Sequence, residues 1–144
     1  MTEVAFHFNA PDRVAYACRL LRKAVGSGAK LLVTGDADTL QQLDGALWTI
    51  SPIDFVPHCH LESERYVVAA SPVILATSTQ SVPHQQVLLN LGHLVPEGFE
   101  RFERVIEVVG MDDEGRQLAR GRWKHYADRG YTITRHDLTL KTSH

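Results

Sequence analysis

The chain has 144 residues, 44% hydrophobic and 22% charged, with a formal net charge of −2 at pH 7. That balance excludes a disordered chain and a whole-molecule attraction to nucleic acid, and the length predicts one domain spanning 1–144 around one core. The first residues lack a basic start with a long apolar core and no later stretch has the length of a membrane span, so a cytoplasmic protein with no membrane role is expected.

In chain order, Val4, Phe6 and Phe8 alternate with Ala5 and His7, the period of a strand, and Asn9-Ala10-Pro11-Asp12 follows as a turn. Val14, Ala17, Cys18, Leu21 and Val25 then recur at helical spacing until Gly26-Ser27-Gly28, and Lys30 to Thr34 reads as a second strand. A helix capped by Asp36 or Asp38 carries Leu40, Leu43 and Leu47 toward the core and cannot extend through Pro52. Tyr66–Ala70, Val73–Thr77 and Gln86–Leu91 are expected as strands. Beyond them come a short helix over Glu97–Phe102, a strand over Val105–Val109, a helix from Asp112 to Arg129 ended by Gly130, and a last strand from Tyr131. Strands alternating with helices predict an α/β domain with a mainly parallel or mixed sheet flanked by helices.

Motifs for chemistry are sparse. Gly26-Ser27-Gly28-Ala29-Lys30 contains the residues of a phosphate loop but closes a helix and opens a strand, the reverse of what such a loop requires. Thr34-Gly35-Asp36 is better placed, after a strand and before a helix; a small nucleotide-dependent enzyme built on Gly35 and Asp36 is the alternative reading, with turn and capping chemistry the simpler one. His58-Cys59-His60 supplies two convergent imidazoles at most, so it is expected as an exposed loop triplet and no metal is expected. Cys18 and Cys59 form no CxxC and are expected as small buried residues. No nucleophile elbow, zinc-protease pair or kinase signature is present, and no cofactor is expected.

Two surfaces carry more information. At 100° per residue Leu40, Leu43 and Leu47 fall within about 60° of the helical wheel, whereas Trp48 lies roughly 120° from their centre. Trp48 therefore either folds sideways over the core edge or anchors a partner. Phe55 sits between Pro52 and Pro57, stiff enough to dock at little entropic loss, although periodicity alone turns it inward with Ile53. Between Gly115 and Gly130, Arg116, Arg120, Arg122, Lys124 and Arg129 stand against Asp128 alone, a local charge of +4. On the expected helix Leu118, Ala119, Trp123 and Tyr126 form the apolar face and Arg116, Arg120 and Lys124 form a row beside Trp123. Arg122 falls inside the apolar arc and is expected to snorkel or to pair with an acid. An apolar floor beside a basic wall suits a peptide with an apolar side chain and carboxylates.

The stretches LDGALWTISPIDFVPH, from Leu43 to His58, and RQLARGRWKHYADRGY, from Arg116 to Tyr131, together resemble the chi subunit of the bacterial DNA polymerase III holoenzyme. The resemblance extends over the whole chain and rests on the LDxALW helix end, the FVPH segment and the LARxRxKxY helix. It implies a Rossmann-like α/β fold without catalytic chemistry, a surface for the psi subunit of the clamp-loader complex, and a second surface for the acidic, phenylalanine-terminated C-terminal tail of single-stranded-DNA-binding protein. A helicase is a possible further partner at the psi-type surface, and DNA is met only indirectly. Carried over by position, the psi-type role falls on Trp48, Phe55, Val56 and Pro57, and the tail-binding role on Val109, Arg116, Arg120, Trp123 and Lys124. Trp123 stands where the family pattern has tyrosine, and the loop after FVPH is shorter than in some members.

Overall fold

The computed structural model describes residues 1–49, 56–61, 63, 67, 71–79 and 82–139. Seven strands form one sheet: β1 (Glu3–Ala10), β2 (Leu31–Thr34), β3 (His58–His60), β4 (Val73–Ala76), β5 (Val87–Asn90), β6 (Arg104–Gly110) and β7 (Ile133–Asp137). Their order is β3-β4-β2-β5-β6-β1-β7, and each neighbouring pair is parallel. The helices are α1 (Arg13–Gly26), α2 (Ala37–Thr49) and α3 (Asp113–Asp128). This is the expected α/β architecture, consistent with a Rossmann-like fold, and the sheet is parallel throughout its described pairings.

The helices start and stop where their local chemistry says they should. Asp12 caps α1 by accepting from the Ala15 N–H, and Asp112 caps α3 by accepting from the Gly115 N–H at 2.8 Å. A Cβ at Gly115 would meet the Asp112 carboxylate at 2.8 Å, so a side chain there would shift the capping carboxylate. At the C-terminus of α3, Gly130 takes φ 81°, its N–H donates to the Ala127 carbonyl and the Tyr131 N–H to the Tyr126 carbonyl. That double bond pattern ends the helix, and it also delays the last strand from the expected Tyr131 to Ile133. Gly26-Ser27-Gly28 is likewise the turn that closes α1, with Gly28 at φ 89°.

Two apolar layers sandwich the sheet. Ala17, Cys18 and Leu21 of α1 pack with Leu40, Leu43 and Leu47 of α2 over Leu31, Val33, Val73 and Leu75. Each fully buried leucine contributes roughly 2 kcal/mol. On the opposite face, Ala119 and Tyr126 of α3 pack with Val4, Phe6, Leu32, Leu88 and Val105. Cys18 and Cys59 are buried and free, and among the described residues no helix is long and apolar enough to cross a membrane.

Two expectations change. His58–His60 is an edge strand with Cys59 buried, not an exposed loop, because it pairs with Val73–Leu75 of β4. The strand expected over Tyr66–Ala70 lies outside the described residues except for Val67. The short helix near Glu97 is a 3-10 turn over Phe99–Arg101.

Candidate functional site

The α3 side of the molecule is anchored by a buried charge. Glu107, on β6 with no exposed surface, accepts from Arg122 Nε at 2.9 Å, the Tyr126 hydroxyl at 2.7 Å and Asn90 Nδ2 at 3.0 Å. Burial pushes the Glu107 carboxyl above its usual range, while the Arg122 charge and the three donors pull back. The same burial, reinforced by the adjacent Glu107 carboxylate, raises the Tyr126 phenol. Arg122 thus pairs with an acid, as its place in the apolar arc predicted, and is removed from the charge a partner meets. Leu118, expected on the inward face, is instead 36% exposed, since Ala119, Arg122 and Tyr126 occupy the buried stripe.

Because Arg122 and Tyr126 turn toward the sheet, the next flank of α3 overhangs it. A cavity of about 380 Å³ opens there, with Phe6 and Phe8 of β1 and Val109 and Gly110 of β6 beneath and Arg116, Arg120 and Trp123 along α3. The Trp123 and Phe6 rings lie 5.0 Å apart. Arg116 is held in place: its Nη2 donates to Asn9 Oδ1 at 2.7 Å, and Asn9 Nδ2 donates to Asp137 Oδ1 at 3.0 Å. Asn9 can bridge the two because it sits at φ 64°, in a break of the β1–β6 register, a conformation asparagine tolerates better than most residues.

Of the residues expected at this surface, Val109, Arg116, Arg120 and Trp123 come together, Val109 as a floor residue only 4% exposed. Lys124 is exposed on α3 but lies outside the lining of the cavity. Phe6, Phe8, Asn9 and Arg135 of β7 also line it and had not been singled out. Strand alternation in β1 marked the two phenylalanines as sharing a face, but only the sheet order shows that this face meets α3. Chemically, the groove offers aromatic surface for one apolar side chain and guanidinium groups for carboxylate.

The second surface lies at the end of α2. Leu40, Leu43 and Leu47 are buried while Trp48 is 61% exposed, so the wheel separates them as expected. The indole is propped edge-on against His58 with ring centres 5.7 Å apart. His58 Nδ1 faces the Val56 carbonyl and Nε2 faces Asp44 Oδ1, each at 2.7 Å, and His60 Nε2 lies 3.9 Å from the other Asp44 oxygen. With both ring nitrogens engaged, His58 is a strut and not a metal ligand. Pro57 is exposed beside it. Val56, expected on this surface, is 2% exposed and packs into the α1–α2 core, so it secures the segment from beneath. Phe55 lies outside the described residues.

Gly35 and Asp36, the alternative nucleotide site, stand at the C-terminal end of β2, where parallel sheets commonly hold ligands. A cavity of about 930 Å³ opens there, but Asp36, Glu97 and Glu100 line it, a poor reception for phosphate. Asp36 Oδ1 accepts from the Thr39 N–H at 2.7 Å, and that bond holds its carboxyl below the usual range. Arg101, the guanidinium in the same cavity, donates to the carbonyl and hydroxyl of Thr79. Capping and loop-holding account for these groups.

A family model described as DNA polymerase III chi subunit, HolC, matches residues 1–134. A DNA polymerase III subunit chi from Pseudomonas aeruginosa is 32% identical, the match covering 96% of this chain and 98% of that protein. Subunits of the same name from Haemophilus influenzae and Escherichia coli are 27% and 28% identical over 82% and 81% of this chain, and over 82% and 79% of their own lengths. The chain belongs to the DNA polymerase III chi subunit family.

Proposed function

From membership of that family we propose that this chain is a noncatalytic accessory subunit of the replicative polymerase, working in the cytoplasm as an adaptor between two proteins. One end takes the psi subunit of the clamp-loader complex at Trp48, Phe55 and Pro57, with a helicase as a further occupant of the same surface. The other takes the acidic C-terminal tail of single-stranded-DNA-binding protein in the groove beside α3. DNA is reached only through these partners, in keeping with a net charge of −2.

The observation that carries the reading is the composition of the groove. An aromatic floor of Phe6, Phe8 and Trp123 adjoins Arg116 and Arg120, one helical turn apart. A chain ending in phenylalanine presents an aromatic ring and a carboxylate on one residue, and this groove supports both at once. The ring replaces water over Phe6 and Trp123, and the carboxylate meets Arg116, already oriented by Asn9, and Arg120. Weak binding of one tail suffices, because many tails on a coated strand raise the effective concentration.

Calorimetric titration with a peptide ending in Ile-Pro-Phe after acidic residues tests this. The free acid is expected to bind at least about tenfold more tightly than its C-terminal amide, the loss of one charge-assisted contact. Equal affinities would rule out the carboxylate clamp.

A further inference from the structure

We propose that Arg135 is the second wall of the groove and engages the side-chain carboxylates that precede the terminal aromatic, an assignment that rests on the tail-binding reading above. The parallel register of β1 and β7 sets Phe6 beside Arg135 and Phe8 beside Asp137. Paired residues of a parallel ladder share a face, so Arg135 rises on the side of the sheet that Phe6 turns to Trp123. The strands run β6-β1-β7, and two strand spacings make the floor about 10 Å wide, room for one extended peptide. Cations thus stand on both banks: Arg116 and Arg120 on α3, Arg135 on the edge strand.

Arg135 is also arranged to receive an anion. Its guanidinium carbon lies 5.3 Å from the centre of the Phe8 ring, a cation–π contact that limits its freedom before any ligand arrives. It is exposed and forms no ion pair with another described residue. The neighbouring acid, Asp137, gives Oδ1 to Asn9 and to both the N–H and hydroxyl of Thr139, and it meets the Arg135 charge only at longer range than an ion pair. The terminal ring belongs against Trp123 and Phe6, which fixes the terminal carboxylate at the α3 bank. The preceding residues then cross β1 toward β7, and their side-chain carboxylates reach Arg135.

Two peptides, one acidic and one with its aspartates replaced by asparagine, are titrated against the wild-type chain, Arg135→Ala and Arg120→Ala. Arg135→Ala should weaken the acidic peptide about fivefold and leave the asparagine peptide unchanged, as for an exposed charge pair. Arg120→Ala should weaken both, since both keep the terminal carboxylate. Arg135→Lys, keeping the charge without the planar fork, should fall between wild type and Arg135→Ala for the acidic peptide. If Arg135→Ala weakens both peptides equally, or neither, while Arg120→Ala weakens both, Arg135 has no part in reading acidic residues and the tail-binding site survives. If the wild-type chain binds neither peptide, the site itself is wrong and the Arg135 assignment goes with it.

Discussion

The two surfaces occupy opposite ends of the sheet, and they are built in different ways. The Trp48 surface leans on β3, the edge strand at one end, and the groove leans on β7, the edge strand at the other. Six strand spacings separate those edges by about 29 Å. They also lie on different faces, α2 covering one side and α3 the other. At the α2 end a single exposed indole rests on a histidine strut tied to Asp44. The α3 end is a cleft whose parts come from four elements and whose key cation is pinned by Asn9. The first arrangement suits a hydrophobic anchor on a folded partner, the second a flexible charged chain end. Under the proposed function, surfaces so far apart would let two partners bind without collision.

The most severe way to break this comparison is to undermine one end only. Arg122→Ala leaves Glu107 buried without its counter-charge and should destabilise the fold by about 3–5 kcal/mol, read by chemical denaturation. Near the denaturation midpoint the groove should be lost before the Trp48 surface, because the hydrogen bonds of Arg122 tie α3 to Glu107 of β6 and to the His93 carbonyl. Simultaneous loss of tail and psi binding well before global unfolding would show that the two ends are not independent.

Next in size is Trp48→Ala. Removing a central aromatic anchor is expected to weaken psi binding by about 2 kcal/mol, near 30-fold, with the tail-peptide Kd unchanged within error. Calorimetry on both ligands with the same preparation decides it, and a matching loss in tail affinity would refute separate surfaces. Salt sharpens the contrast: raising ionic strength from about 0.05 to 0.5 M should weaken the tail complex strongly and the psi complex little.

The smallest effect concerns what the two ends share. Asp36 and Asp112 cap α2 and α3, and hydrogen bonds from the Thr39 and Gly115 N–H groups hold both carboxyls below the usual range. A lowered folded-state pKa gives stability that is present above the unfolded value, about 4, and is lost as pH falls through the folded value. Melting temperature should therefore drop below about pH 4 in the wild-type chain, and less steeply in Asp36→Asn and in Asp112→Asn, to similar extents. A far larger effect at one position would mean that the two helices are not anchored alike.

How much of this could be read beforehand depended on the range of the interactions. The α3 helix was legible to within one residue at each end because Asp112 and Gly130 act within one turn of chain. Trp48 was legible as an outlier of its wheel, and it is exposed in the structure while Leu40, Leu43 and Leu47 are buried. β3 was not legible: three residues reading His-Cys-His carry no strand pattern, and only the ladder to β4 makes them one. Asn9 and Arg135 escaped notice for the same reason, since each acquires its place through partners more than 100 residues away in sequence.

By itself the sequence determined where most of the helices and strands start and stop, which leucines are buried, and the co-occurrence of an exposed tryptophan with a basic aromatic helix. Caps, periodicity and local charge act over a few residues and so are written in the order of the chain. Strand order, the pairing of Arg122 with Glu107, and the meeting of Phe6, Trp123 and Arg135 in one cleft were decided only by the tertiary structure. Parallel pairing joins segments with long stretches of chain between them, and no local pattern specifies which edge will lie beside which.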